Sequence, residues 1–224
     1  MRKKNILQKG VTFIELIVVI SIFALISSVV LFNFSGFSTN ITLQNISHDI
    51  ALKLVEAQRA SISGKYHPLL IPYPSSNYAP SYGLHLATVD SASVDFNEPG
   101  KELIYFIDRP DIIPTPPKPP MGDEIYNAGQ TQQAFQVCAD VSNAATECID
   151  RMFITTGESI IDICIEGQCN FTDLTVLFRR PFPDAIIKTS TLSGSFSSAE
   201  IKIQSIKGDQ KTIVVTKLGQ VSVK

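Results

Sequence analysis

Few side chains in this sequence could carry chemistry, and the four cysteines are the most informative of them. Cys138 and Cys148 are separated by nine residues, and Cys164 and Cys169 by four. An even number of cysteines in an exported segment permits disulfides, here with three possible connectivities. A four-thiolate zinc site is the alternative, but structural zinc sites usually have closely spaced cysteine pairs. The spacing therefore favours two local bridges, Cys138–Cys148 and Cys164–Cys169, and no metal site.

The remaining polar residues do not form a catalytic motif. The three histidines, His48, His67 and His85, lie in unrelated contexts. The chain contains no Gly-x-Ser-x-Gly, His-Glu-x-x-His or phosphate-binding glycine motif. Several scattered acids lack a calcium-loop pattern, and we interpret them as solvated strand residues: Asp162, Glu166 and Asp173. We therefore expect neither an enzyme nor a cofactor.

The N-terminal segment has the composition of a membrane anchor. Four basic residues in the first nine precede an apolar run from Val11 to about Phe34, in which Glu15 is the only charged residue. At ~1.5 Å per residue this run is long enough to cross a hydrocarbon core of ~30 Å. Because the basic residues come first, the positive-inside rule places the N-terminus in the cytoplasm and the C-terminal domain outside.

A cleaved secretory signal and a plain signal anchor each explain only part of this N-terminal segment. A cleaved secretory signal would have a shorter apolar run followed by a small-x-small site, and Val29-Val30-Leu31 is not such a site. A plain signal anchor fits the hydropathy but does not explain Glu15. A charged residue within a spanning helix costs roughly 2.5–3.5 kcal/mol on insertion scales and usually serves a partner. It could also extend to the cytoplasmic headgroups.

The segment Lys9-Gly10-Val11-Thr12-Phe13-Ile14-Glu15-Leu16 resembles the class III leader of type IV pilins and type II secretion pseudopilins. The resemblance implies that a prepilin peptidase cuts between Gly10 and Val11 and methylates the new amine of Val11. It also implies that Glu15 pairs with the amine of a neighbouring subunit during assembly. Val11 is a departure, since family members more often have Phe or Met there.

The same resemblance divides the chain into four parts: a leader (1–10), a transmembrane helix (11–34), its amphipathic continuation (35–64) and an exported β-rich domain (65–224). Gly36 could mark a kink between the two helical parts. Between Ile41 and Ser63, apolar residues recur at helical spacing, and Gly64 is a natural end. We expect an α+β, pilin-like fold in which this long helix packs on an antiparallel β-sheet.

Beyond Gly64 the pattern is that of strands. Period-two alternation and turn residues predict strands at Leu69–Ile71, Tyr82–Leu86, Glu102–Ile107, Arg151–Ile154, Ser159–Ile165, Leu174–Phe178, Glu200–Ile206 and Thr212–Val215. Residues 110–120 contain six prolines and are predicted to form a polyproline-like surface loop. A ligand for a proline-recognising partner is the functional alternative for that loop.

Two further segments resemble the GspH/FimT minor pseudopilins. They are the helix end Leu54-x-x-Ala57-x-Arg59-x-x-Ile62 and the segment from Gly208 to Val223, which resembles a closing hairpin. The implied function is a structural minor subunit of a type II secretion or type IV pilus-type fibre. The implied partners are the prepilin peptidase, other pilin subunits, the inner-membrane assembly platform and membrane lipid.

The alternative function is a ligand-binding tip subunit, an adhesin or a DNA-uptake protein. DNA-binding relatives are expected to carry a basic Gly-Arg-x-Arg-type motif near the C-terminus. The corresponding residues here, Gly219 to Ser222, include no Arg. Removal of the leader would also take the formal net charge from −2 to about −6, which disfavours contact with nucleic acid. We therefore expect no nucleic-acid partner.

Overall fold

The computed structural model describes residues 10–65, 81–109, 122–127, 138, 147–192 and 194–224, without the side chains of residues 31–37. The chain forms two units, residues 1–41 and 42–224. The predicted strand Leu69–Ile71 and the proline-rich segment 110–120 lie outside the described residues. The same is true of His67 and of the basic residues before Gly10.

One helix, α1, runs from Phe13 to Ser63 and stays helical through Gly36. It begins two residues later than predicted because Thr12 takes the N-cap position. Its end is the predicted one. Gly64 has a φ of 62°, and its N–H donates to the Ser61 carbonyl while Lys65 N–H donates to that of Ala60. This is a Schellman motif, which needs a residue with positive φ and so favours glycine.

Among the described residues, the second unit contains ten strands in two five-stranded sheets. In chain order the strands are β1 (Ser81–Ala87), β2 (Glu102–Asp108), β3 (Cys148–Phe153), β4 (Ser159–Ile165), β5 (Gln168–Phe171), β6 (Asp173–Phe178), β7 (Ala185–Lys188), β8 (Ser198–Gln204), β9 (Gln210–Thr216) and β10 (Val221–Val223). The first sheet has the order β3-β2-β1-β6-β7, and the second β10-β9-β8-β4-β5. The paired strands are antiparallel.

The main core joins the helix to both sheets. The predicted apolar stripe of α1 is buried there, with Leu43, Ile50 and Leu54 almost inaccessible to solvent. The stripe packs with residues such as Leu84 of the first sheet and Ile201 of the second. Burial of each such side chain contributes roughly 1.5–3 kcal/mol. The structure thus has the α+β, pilin-like arrangement expected from the sequence.

The three central strands of the first sheet, β1, β2 and β6, are buried on both faces. Side chains alternate along a strand, so Leu103 and Tyr105 of β2 join the main core while Ile104 and Phe106 join a second apolar cluster on the opposite face. Gly83 of β1 lies beneath Phe106, and a Cβ atom there would come within 2.7 Å of that ring. The second cluster supports the polar groups described below.

Candidate processing and assembly segment

Gly10 and Val11 precede the first turn of the helix and are exposed. A Cβ atom added at Gly10 would meet nothing within 4 Å. The described structure therefore gives no packing reason for glycine at this position. A bare, accessible backbone at Gly10 is what a peptidase that grips an extended chain requires.

Glu15 and Thr12 form a capping box at the start of the helix. Oε2 of Glu15 accepts hydrogen bonds from the backbone N–H and the hydroxyl of Thr12, each at 2.8 Å. In return, the backbone N–H of Glu15 donates to Thr12 Oγ1 at 3.4 Å. This reciprocal pairing satisfies donors that the first helical turn leaves without intrahelical partners. Glu15 thus has a local role in addition to the intermolecular one expected from the sequence.

One helical stretch of the described chain, Phe13–Val30, is long and apolar enough to cross a membrane, with a mean hydropathy of 2.7. Within this stretch, the hydroxyl of Ser21 donates a hydrogen bond to the carbonyl of Ile17 at 2.8 Å. In a bilayer this bond satisfies a donor that lipid could not. A single N-terminal apolar helix of this kind is typical of the membrane anchor of pilins.

The four cysteines are joined as the local spacing predicts. Cys138 bonds to Cys148, with Cα atoms 4.9 Å apart. Cys164 bonds to Cys169 across the β4–β5 turn, with Cα atoms 3.9 Å apart. Both Cα separations are below the ~7 Å limit for a bridge. Asp162 lies near the second pair, but sulfurs in a disulfide are not the thiolates that zinc requires.

Two buried carboxyl groups, those of Asp108 and Glu147, lie at the end of β2. The side chain of Glu147 accepts hydrogen bonds from the backbone N–H groups of Arg109 and Asn127, each at 2.7 Å. Asp108 accepts one from the backbone N–H of Glu124 at 3.2 Å. Burial raises the pKa of Asp108 to about 7, and burial followed by the charge of Asp108 raises the pKa of Glu147 well above its ordinary value.

Basic side chains border this acidic region. Lys188 Nζ lies 2.9 Å from Glu124 Oε2, and Arg179 pairs with the other oxygen of Glu124. Their charges act to lower the pKa of Asp108 but are outweighed by burial and by Asp123. The region therefore favours protonated carboxyl groups at Asp108 and Glu147.

His85 lines a cavity of about 380 Å³ on the first sheet. The imidazole is 5% exposed and lies between the rings of Phe96 and Tyr126, at centroid distances of 5.0 and 5.2 Å. Its Nδ1 is 2.8 Å from Thr175 Oγ1, and its Nε2 is 3.7 Å from Asp95 Oδ2. Burial acts to raise the pKa of Asp95, but the nearby imidazole of His85 and the hydrogen bond from Ser93 outweigh it, and the pKa is lowered.

No motif in the sequence predicts this cavity. The three histidines lie in unrelated contexts in the sequence, and the structure places His48 away from His85, exposed on the helix. The available signal was a histidine between two apolar residues of a buried strand, Leu84 and Leu86. Its partner Asp95 lies in a loop, where no periodicity indicates which way a side chain faces.

The acids interpreted as solvated strand residues have three different environments. Asp173 was interpreted wrongly, because it is 6% exposed and accepts hydrogen bonds from Thr189 and Ser190. Asp162 is partly exposed and pairs with Lys202 at 2.9 Å. Glu166 is exposed but lies in the β4–β5 turn rather than in a strand.

Comparison with protein families gives a match over the N-terminal segment. Residues 7–31 match the family described as "Prokaryotic N-terminal methylation motif". No curated protein and no solved structure matches the chain significantly. The matched segment contains Gly10, the capping box and the candidate span. The match supports a type IV pilin-like family and a pilin- or pseudopilin-like precursor for this chain.

Proposed function

We propose that this chain is a structural minor pilin or pseudopilin of a type II secretion or type IV pilus-type fibre. A prepilin peptidase cuts between Gly10 and Val11 and methylates the amine of Val11. The anchor holds the protein in the inner membrane with the leader in the cytoplasm and the β-rich domain outside. The assembly platform then transfers the subunit into a fibre with other pilin-like subunits. The methylation-motif match at residues 7–31 is the observation that carries this proposal.

Glu15 provides the mechanism of subunit pairing in this proposal. Before assembly, Thr12 supplies two hydrogen bonds to one oxygen of Glu15 and offsets part of the cost of a carboxylate in the bilayer. After cleavage, the amine of Val11 on an incoming subunit is a cation that a neighbour's Glu15 can neutralise. An unpaired amine or carboxylate in the bilayer is penalised, so pairing favours assembly in one axial register.

The capping box makes a sharp test possible. Glutamine occupies the same capping position as glutamate, so Glu15→Gln retains the helix cap but removes the charge. In cells that make the native peptidase and platform, Glu15→Gln should be processed and accumulate in the membrane, yet be absent from sheared fibres. Thr12→Val is the matched control, because it removes the side-chain cap and keeps the carboxylate, and it should still enter fibres.

Two further results complete this test. Glu15→Asp should assemble to an intermediate extent, because it keeps the charge but shortens the reach. If Glu15→Gln enters fibres as efficiently as the wild type, the carboxylate serves only to cap the helix or to reach the headgroups. The pairing mechanism would then be wrong, although cleavage at Gly10 could still stand.

A ligand-binding tip subunit is the second candidate, and the polar cavity at His85 is the observation that favours it. A DNA ligand is disfavoured. Residues 219–222, which correspond to the DNA-binding motif of relatives, cover the end of the β9–β10 turn and the start of β10. The carbonyl of Gly219 accepts a hydrogen bond from Gln58 at 3.1 Å. Residues 219–222 contain no Arg, and phosphate contacts in DNA complexes depend on such side chains.

A further inference from the structure

The cavity at His85 has the chemistry of a ligand site. Six of its lining residues are serines or threonines, and Tyr126 and Ile125 add apolar surface. Its volume of about 380 Å³ is at the low end of the ~300–1,000 Å³ found for small-ligand pockets. A cavity of this size suits one compact polar molecule.

One nitrogen of His85 is the strongest pointer to an occupant. Among the described residues, no atom forms a hydrogen bond with Nε2, although the side chain is more than nine-tenths buried. Buried polar atoms normally have a partner. Stacking between Phe96 and Tyr126 fixes the plane of the ring, so the nitrogen is held in place before a ligand arrives and less ordering is needed on binding.

A hydroxyl is the ligand group that best suits a hydrogen bond with Nε2 of His85. Depending on the tautomer set at Thr175, Nε2 is either a donor or an acceptor, and a hydroxyl suits both states. Oδ2 of Asp95 lies 3.7 Å from Nε2, too far for a direct hydrogen bond. A ligand hydroxyl could contact both groups, donating to the carboxylate, which only accepts when ionised.

The charged groups around the cavity already have partners, which disfavours an ionic ligand. Asp173 accepts hydrogen bonds from Thr189 and Ser190. Lys188 pairs with Glu124 at 2.9 Å. A bound anion or cation would have to compete with these contacts, whereas a neutral molecule with several hydroxyl groups would not.

We infer that the cavity binds a neutral, polyhydroxylated ligand of about the size of one sugar unit, with His85 and Asp95 as its main polar contacts. This inference names a ligand class for the second candidate function and rests on it. It does not depend on processing or fibre assembly, so the absence of sugar binding would leave the structural role untouched.

Ligand-observed saturation-transfer NMR on the full chain tests the inference. The protein is kept in a zwitterionic detergent without a sugar headgroup. The probes are D-glucose, D-galactose, D-mannose and N-acetyl-D-glucosamine, each titrated separately, with inorganic phosphate as the ionic comparison. We expect saturable binding of at least one sugar and a weaker response to phosphate.

Three variants locate the binding site. His85→Phe keeps an aromatic ring but removes both nitrogens, and should weaken sugar binding about tenfold, the equivalent of one hydrogen bond. His48→Phe makes the same chemical change on the exposed helix and should leave affinity unchanged. Asp95→Asn preserves size and provides a second test if His85→Phe does not fold, as judged by circular dichroism. It should also weaken binding.

Either of two results would overturn the inference. The first is that the folded wild-type protein shows no saturable binding of any of the four sugars, or binds phosphate in preference. The second is that a sugar binds equally well to wild type and to the folded cavity variants, which would place the sugar elsewhere.

Discussion

The buried carboxyl group of Asp108 should make the protein less stable as the pH rises. Its side chain is 0% exposed, and burial raises its pKa from 3.8 to about 7. The unfolded chain therefore releases this proton at a lower pH than the folded chain does. The protonated carboxyl group therefore makes its full contribution to stability below about pH 4. That contribution decreases as the pH rises and is lost as the pH approaches 7.

The size of the effect follows from the pKa of Asp108. Each pH unit over which the unfolded carboxyl is ionised and the folded one is not costs about 1.4 kcal/mol. Raising the pH from about 5 to about 7 should thus lower the free energy of unfolding by about 2–3 kcal/mol. Glu147, whose pKa is also raised, acts in the same direction.

Asp108→Asn removes the titrating group and keeps a carbonyl oxygen that can accept the Glu124 N–H bond. The measurement is urea unfolding of the full chain in detergent micelles, followed by circular dichroism, at several pH values between about 5 and 8. The variant should lose less stability than the wild type across this range, and should be the more stable protein at the upper end.

Asp90→Asn is the matched control, since Asp90 is exposed in a loop and its substitution should leave the pH dependence unchanged. Equal losses of the free energy of unfolding in Asp108→Asn and the wild type between these pH values would contradict the raised pKa of Asp108. That result would mean that Asp108 is ionised in the folded protein as readily as in the unfolded chain.

Two other predictions concern the stability of the β-rich domain. Glu102 is fully buried and paired with Arg151. Glu102→Ala should lower the free energy of unfolding by about 3–5 kcal/mol, because the arginine is left buried without its partner. A loss below about 1 kcal/mol in urea unfolding would contradict this prediction. Replacing Cys164 and Cys169 together by Ser should lower stability by about 2 kcal/mol, and non-reducing peptide mapping of the wild type should recover this pair as one crosslinked fragment rather than as free thiols.

Much of the fold could be predicted because its signals are local. The helix has a regular apolar stripe and a glycine at its end, and each of these acts within a few residues. Most strands were found for the same reason. Strand β7 (Ala185–Lys188), which was not predicted, has four residues, too few to establish a period. It is held in place by pairing with β6.

The second sheet and the cavity depend on contacts between distant residues. Period-two alternation identifies a strand but not its neighbours, so the sequence could not divide the strands into two sheets. Burial of β2 on both faces obscures its alternation, since all seven of its residues are buried. Likewise, His85 and Asp95 meet only because the loop after β1 folds back over the first sheet. The match of the N-terminal segment to the methylation motif could be predicted because that motif is contiguous in the sequence.

The mass of the N-terminal peptide shows whether the chain is processed as a prepilin. Protein made together with its native prepilin peptidase should give a chain that starts at methylated Val11, and Gly10→Val should keep the leader, because a β-branched side chain crowds a cleft that accepts bare backbone. Gly36→Val provides a control for the same change away from the cleavage site and should be cut normally. An intact Met1 N-terminus on the wild-type protein, under conditions where the peptidase processes another prepilin, would contradict the account.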